Sequence, residues 1–393
     1  MFIYTYSNRI TSIITGDNVI SSVHLMNLTE ARNLADKGLM TQPFDPNTAA
    51  AEDSGIFGLP YSEAEASLIF LPVAWEATTS YGGGTSHGPA AILEASRQVD
   101  LYDTDVLKPY EAGLYIVPES TQVQAWNQEA KELAQKIIQI GGRIDGNLEL
   151  TQALERVNHL GTLLNDFVYN ETKRLLSSQK TVGIIGGDHS VPFGAIKAIA
   201  EKNPSFGILH FDAHSDTRSA YEGFEWSHAS IMYNVLENIP QVSTLVQVGI
   251  RDICEEEMEY LRSQKERVRL HLDRDLKRKK FEGRSWKQTC EEIVSDLPQL
   301  VWISFDIDGL DPRFCPHTGT PVPGGLDFSE ANYLIGALVR SGRKIIGFDL
   351  NEVAPNLKDE TDEWDANVGA RLLYKLSAWT LASQGKAKVG LLL

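Results

Sequence analysis

The chain has 393 residues, 42% hydrophobic and 23% charged, enough for one large core or two modest ones and too apolar for a disordered polymer. A formal charge of −17 disfavours nucleic acid or an anionic membrane surface as partner and is compatible with cationic small molecules. Three cysteines, Cys254, Cys290 and Cys315, show no C-x-x-C spacing, which argues against a disulfide scaffold and fits a reducing, cytoplasmic setting.

Residues 1–20 lack a basic segment ahead of a clean apolar run, so they do not read as a signal peptide. No stretch is apolar over the length a bilayer requires. The spacing predicts a helix over 24–39, then a stretch punctuated by Pro, Asn and Gly up to Pro60. Residues 1–65 are too few to bury a core of their own comfortably and read as an N-terminal extension. From Leu68 the pattern alternates. Short apolar runs at 68–71, 113–117, 182–185, 207–211, 245–248, 268–272, 300–305 and 344–350 read as buried strands. Amphipathic stretches at 123–140, 151–178, 192–202, 328–340 and 367–383 read as helices. Strand and helix in repetition predict an α/β fold with a mainly parallel central sheet and helices on both faces.

Ligands in such folds bind outside the carboxyl ends of the strands. The polar motifs fall there: Gly186-Gly187-Asp188-His189 after one run, Asp212 to Asp216 after a second, Asp306 and Asp308 after a third, Asn351-Glu352 after a fourth. Asp212, His214 and Asp216 occupy alternate positions, as do Asp306 and Asp308, so in extended backbone each set points to one face. A lone aspartate at such a place is usually a helix cap. Several together repel one another unless a cation compensates. No cysteine joins them, so mixed imidazole and carboxylate ligation suits Mn²⁺, Ni²⁺, Fe²⁺, Co²⁺ or Zn²⁺. The expected arrangement has one ion on His189, Asp212, Asp216 and Asp306, and a second on His214, Asp212, Asp306 and Asp308. Asp212 and Asp306 would bridge, and a water between two such ions becomes a nucleophile near neutral pH.

GGDHS at 186–190, FDAHSD at 211–216 and SFDIDGLDP at 304–312 resemble the signature motifs of the ureohydrolase family, which includes arginase and agmatinase. TGTPVPGG at 318–325 resembles the loop that follows the last of these in agmatinase-like members. The resemblance runs from about residue 68 to the C-terminus, making 66–393 the catalytic domain. It implies the three-layer α/β/α arginase-type fold, a binuclear metal site, release of urea by cleavage of a guanidinium C–N bond, and a homo-oligomer, a trimer or hexamer. Those six ligands match the family pattern. Glu352 sits where the family places its guanidinium-binding carboxylate, which suits a planar N–H fork. His228 sits where the family has a proton-transferring histidine, but the usual His-Gly is here His228-Ala229. Asp188 is expected to support the ligand His189 rather than to ligate.

After Asp216 the segment is aromatic, with no arginase-type set for an α-amino acid. Together with the N-terminal extension, Ser227 to Ser230, and Trp364 to Arg371, it looks most like the guanidine hydrolase branch, which cleaves free guanidine with nickel. The segment from Trp75, with Thr78-Thr79-Ser80, resembles that branch's pocket loop, so Trp75 and Thr79 are expected to bind substrate. Ni²⁺ is then the favoured ion with Mn²⁺ the alternative, and a nickel-delivery accessory protein is an expected partner. Agmatinase or guanidinobutyrase activity competes with this reading. A single-zinc deacylase shares the fold and the Asp-x-His element, but His189 and the Asp306–Asp308 pair weigh against it. A paralogue that binds without turnover is opposed by the intact ligand set.

Overall fold

The structure is a computed structural model that describes residues 2–6, 9–14 and 44–390. The chain divides into two units, Met1–Pro46 and Asn47–Leu393. In the smaller, β1 (Phe2–Tyr6) and β2 (Arg9–Ile14) pair antiparallel. The helix expected over 24–39 lies outside the described residues. In the larger unit, Ile56, Phe57 and Leu59, which precede the expected boundary at 65/66, are buried in the main core.

The larger unit is built on β3 (Leu68–Val73), β4 (Val106–Leu107), β5 (Leu114–Ile116), β6 (Thr181–Gly186), β7 (Phe206–Phe211), β8 (Val242–Ile250), β9 (Val268–Leu272), β10 (Leu300–Asp306), β11 (Lys344–Asn351) and β12 (Lys388–Val389). Eight of these form one sheet in the order β5-β3-β6-β11-β10-β7-β8-β9, and every pairing in it is parallel. They correspond to the eight apolar runs. β4 and β12 make a separate antiparallel pair.

Side chains alternate between two apolar layers, as strand geometry requires. Val301, Ile303 and Phe305 of β10 join Leu334, Leu372 and Trp379 on one face. Trp302 joins Leu160, Leu164 and Phe193 on the other. The helices Phe328–Arg340 and Trp364–Ser383 therefore cover the first face, and Leu148–Ser177 and Phe193–Ala200 the second. This is the three-layer α/β/α architecture. The helix expected from 151 begins at Leu148 because Asn147 caps it, its Oδ1 accepting from the amides of Glu149 and Leu150 at 3.0 and 3.3 Å.

The register brings the motifs together. β6, β11, β10 and β7 are consecutive in the sheet, with β3 on the far side of β6. Asp306 pairs with Asn351, Phe305 with Phe211, Leu350 with Ile185, and Val73 with Gly186. The residues that follow therefore emerge side by side on one edge. Gly187 is needed for this closeness: a Cβ there would lie 1.9 Å from the Trp75 carbonyl oxygen. Its amide donates to Val73 O at 2.9 Å and the next amide, of Asp188, to Trp75 O at 2.7 Å. Gly187→Ala is expected to cost ~3 kcal/mol or more by overpacking, read as a lowered urea-unfolding midpoint.

Candidate metal centre

Four strand ends converge on His189. Its Nδ1 lies 3.0 Å from Asp212 Oδ2, 3.2 Å from Asp306 Oδ2 and 3.4 Å from Asp216 Oδ2. The ring is aimed from behind, where Nε2 is 2.9 Å from Ser304 Oγ. That hydroxyl donates to Asp349 Oδ1 at 2.8 Å, so it accepts the Nε2 proton and leaves the Nδ1 lone pair facing the carboxylates. His214 forms a second focus, with Nδ1 3.1 Å from Asp308 Oδ2 and 3.5 Å from Asp212 Oδ1. His189, His210, Asp212 and Asp216 are close enough to hold one ion, and Asp212, His214 and Asp308 another. Asp212 belongs to both groups. Backbone amides hold the carboxylates in place: Asp212 Oδ1 accepts from His214, Asp308 Oδ1 from Ala213, and Asp306 Oδ1 from Asp308, at 2.6, 2.9 and 2.8 Å.

The electrostatics favour a cation among these groups. Burial, with Asp212 beside it, pushes the Asp216 carboxyl well above its ordinary range. Burial also raises Asp306, with Asp308 and Asp212 adding to it. Against the pull of burial, Asp212, Asp306 and Asp349 hold His189 toward its charged form, and Asp308 and Asp212 do the same to His214. Asp212 stays well below its usual value because the imidazoles of His210, His189 and His214 outweigh burial. Left to itself, the cluster must collect protons. Divalent cations neutralise it instead and use the same lone pairs, so the donor set fits a metal centre.

Asp216 and Glu352 both adopt left-handed backbone, with φ of 55° and 64°. Non-glycine residues in that region cost about 1–2 kcal/mol each. The surrounding bonds keep Glu352 there: its amide donates to Gly187 O at 2.7 Å, and Thr318 Oγ1 donates to its carbonyl at 2.8 Å. Glu352 Oε1 accepts from the His189 amide at 2.9 Å and lies 3.7 Å from His228 Nδ1. Glu352 Oε2, His228 Nε2 and Thr79 Oγ1 are buried without a hydrogen-bond partner among the described residues. Burial, reinforced by Asp306 and Asp188, raises the Glu352 carboxyl well above its ordinary value. Burial and the neighbouring His214 lower His228 to about 4. Burial thus favours the neutral imidazole of His228 near pH 7.

Thr79 and Glu352 both border Gly319: a Cβ there would lie 3.2 Å from Thr79 Cγ2 and 3.3 Å from Glu352 Oε2. The Thr79 loop is tied down by Glu76, whose buried carboxylate accepts from the amides of Gly84 and Ser86 at 2.6 and 3.1 Å and pairs with Lys131. Trp75 is placed differently from the expectation. Its ring is 1% exposed in the apolar layer with Leu71 and Val191, and it does not line the cavity. Its carbonyl instead anchors Asp188. Asp188 does not orient the His189 ring; its Oδ1 accepts from the amide and hydroxyl of Ser190, and burial pushes its carboxyl up to about 7. The orienting groups, Ser304 and Asp349, were overlooked because polar residues inside apolar runs read as strand core. Their signal was that same anomaly: an acid and a hydroxyl in strands otherwise buried.

A cavity of about 190 Å³ opens over the centre, lined by His214, Asp216, His228, Arg218, Tyr221 and Thr320 among others. The Arg218 guanidinium lies 4.8 Å above the Tyr221 ring.

Comparison with known proteins agrees with this geometry. The model of the arginase family matches residues 66–378. The chain is 30% identical over 329 residues to N(1)-aminopropylagmatine ureohydrolase of Synechocystis sp., covering 83% of this chain and 92% of that protein. It is also 30% identical to the agmatinase of Bacillus anthracis, covering 81% and 93%. The crystal structure of agmatine ureohydrolase from Thermoplasma volcanium superposes with a TM-score of 0.64 over 91% of this chain and 99% of that one, at 22% identity, which bears on the fold alone. A buried cluster of aspartates and histidines at the ends of adjacent parallel strands, on a chain matched over this span, makes the protein a member of the arginase family.

Proposed function

We propose that this ureohydrolase acts on free guanidine, giving urea and ammonia. Hydrolysis of a guanidino compound follows from family membership; the choice among such compounds rests on the pocket wall. The observation that carries the reading is that two residues bordering Gly319, Glu352 and Thr79, each carry a buried oxygen without a hydrogen-bond partner among the described residues, Oε2 and Oγ1. A guanidinium ion presents N–H donors on every edge. A tailed substrate gives up one of them to its own chain, whereas the free ion needs an acceptor there too, a role open to the buried Thr79 hydroxyl. Agmatine is the second reading, favoured by the agmatinase-type relatives.

His189, Asp212, Asp216 and Asp306 would hold one divalent ion and His214, Asp212, Asp306 and Asp308 the other, with Asp212 and Asp306 shared. Both Ni²⁺ and Mn²⁺ accept these donors; Ni²⁺ is the ion proposed, on the resemblance to the guanidine hydrolase branch, with Mn²⁺ the alternative. Such ions supply Lewis acidity and a more acidic water. The rest is done by this chain's side chains. Glu352 turns Oε2 to the guanidinium while Oε1 stays on the His189 amide, and pairing with a cation restores the charge that burial opposes. His228, neutral and with Nε2 free, can take up a proton and pass it to the departing amine, which makes it a relay. The covering loop keeps bulk water from competing for these bonds.

The test is urea release from guanidine, agmatine, guanidinobutyrate, guanidinopropionate and arginine by enzyme loaded with Ni²⁺ or with Mn²⁺. Guanidine is expected to be the best substrate. Thr79→Val is expected to lower kcat/KM for guanidine about fivefold, from the loss of ~1 kcal/mol of hydrogen bonding, and to leave tailed compounds within about twofold. Agmatine cleaved and guanidine untouched would overturn the reading.

A further inference from the structure

We infer that His210 is a positioning residue for Asp212, locked by Gln247 in the tautomer that donates from Nε2. His210 belongs to none of the ureohydrolase motifs, yet it stands close enough to His189, Asp212 and Asp216 to count as a candidate ligand itself. The hydrogen bonds decide between the two roles.

A carbonyl oxygen can only accept. Gln247 Nε2 lies 2.7 Å from Ser215 O, which identifies that end of the amide as the nitrogen. The opposite end, Oε1, accepts from Ser215 Oγ at 3.2 Å. The second proton of Nε2 is directed at His210 Nδ1, 3.0 Å away. Nδ1 is therefore the acceptor nitrogen, and the proton of a neutral ring must sit on Nε2. That nitrogen is 2.9 Å from Asp212 Oδ2. Neither nitrogen keeps a lone pair for an ion. This inverts the arrangement at His189, where the backing hydroxyl takes the ring proton and frees Nδ1.

The frame is rigid. His210, Asp212, Ser215 and Gln247 are all 0% exposed. His210 pairs with Gln247 across β7 and β8 and with Ser304 across β7 and β10, so the strand register itself sets the ring between its partners. One lone pair of Asp212 Oδ2 is engaged by His210, and Oδ1 accepts from the His214 amide. Oδ2 also lies 3.0 Å from His189 Nδ1, and Oδ1 lies 3.5 Å from His214 Nδ1. A carboxylate tethered at both oxygens cannot rotate onto one ion at the expense of the other.

This rests on the reading of Asp212 as a shared ligand, and the experiment separates the two. Affinity and stoichiometry for Ni²⁺ and for Mn²⁺ are measured by chelator competition on wild type, Asp212→Ala, His210→Phe, His210→Gln and Gln247→Leu, with kcat and KM alongside. His210→Phe, which fills the space without a donor, is expected to weaken metal binding 10- to 100-fold while two ions still bind at saturation. Its kcat falls and KM stays. His210→Gln restores an N–H donor and recovers affinity to within a few-fold. Gln247→Leu, which frees the tautomer, gives an intermediate loss, and it decides the matter with His210→Gln if His210→Phe does not fold. Unchanged affinity in His210→Phe, or in Gln247→Leu where that variant decides, overturns the proposal. So does loss of one whole ion at saturating metal without rescue by His210→Gln, which would make His210 a ligand. Should Asp212→Ala keep both ions, the shared-ligand reading falls and this inference with it.

Discussion

Asp212→Ala is expected to release both metal ions and to lower urea formation by at least about a thousandfold, equivalent to ~4 kcal/mol of transition-state stabilisation. Asp212 is the residue common to the two groups that could hold an ion, and its oxygens lie 3.0 Å from the His189 nitrogen and 3.5 Å from that of His214. Removing it leaves each focus a donor short and takes the charge that His210, His189 and His214 stabilise most strongly. Metal content after dialysis, measured by atomic spectrometry, is the direct readout. Two ions retained per chain would remove Asp212 as a shared ligand. Asp306→Ala tests the other proposed bridge in the same way.

Glu352→Gln is expected to keep both ions and lower kcat/KM about a hundredfold, from the loss of ~2–3 kcal/mol in a charge-assisted bond. The amide keeps an oxygen for the His189 N–H, so the turn at φ 64° should survive. Its other end presents N–H groups to a substrate that is itself a donor, and the charge that balances the guanidinium is gone. Because Glu352 is within 3.7 Å of His228, the proton relay is disturbed as well. Kinetics equal to wild type would exclude Glu352 from the site.

The eight strands of the large sheet, five of its helices and the placing of polar motifs at strand ends are legible in the sequence because all are local; the shorter helices Gly88–Ser96, Ile231–Asn238, Glu255–Ser263, Asp273–Phe281 and Trp286–Ser295 are not singled out there. Apolar runs of strand length, helical periodicity and caps are written in neighbouring residues, and a carboxylate that follows a buried strand can only emerge at its carboxyl end. Those rules reached the large sheet, Asp212, His214, Asp216, Asp306, Asp308, His189 and Glu352. They missed His210, Gln247, Ser304 and Asp349, since a polar residue inside a strand acquires its meaning from what stands on the next strand. Loop sequence likewise does not say which way the Trp75 ring turns, and here it packs in the apolar layer with Leu71 and Val191.

His189 to Glu352 span most of the sheet's sequence separation, yet their groups lie within hydrogen-bond reach. That closeness comes from the order β6-β11-β10-β7, which is a property of packing and register rather than of any one segment. Burial decided the rest. It favours the neutral imidazole of His228, raises the carboxyls of Asp216 and Asp306, and brings Thr79 and Glu352 both against Gly319. The ligand alphabet is thus inscribed in the chain, while the tautomers, the charge states and the size of the pocket exist only once distant strands exclude water together.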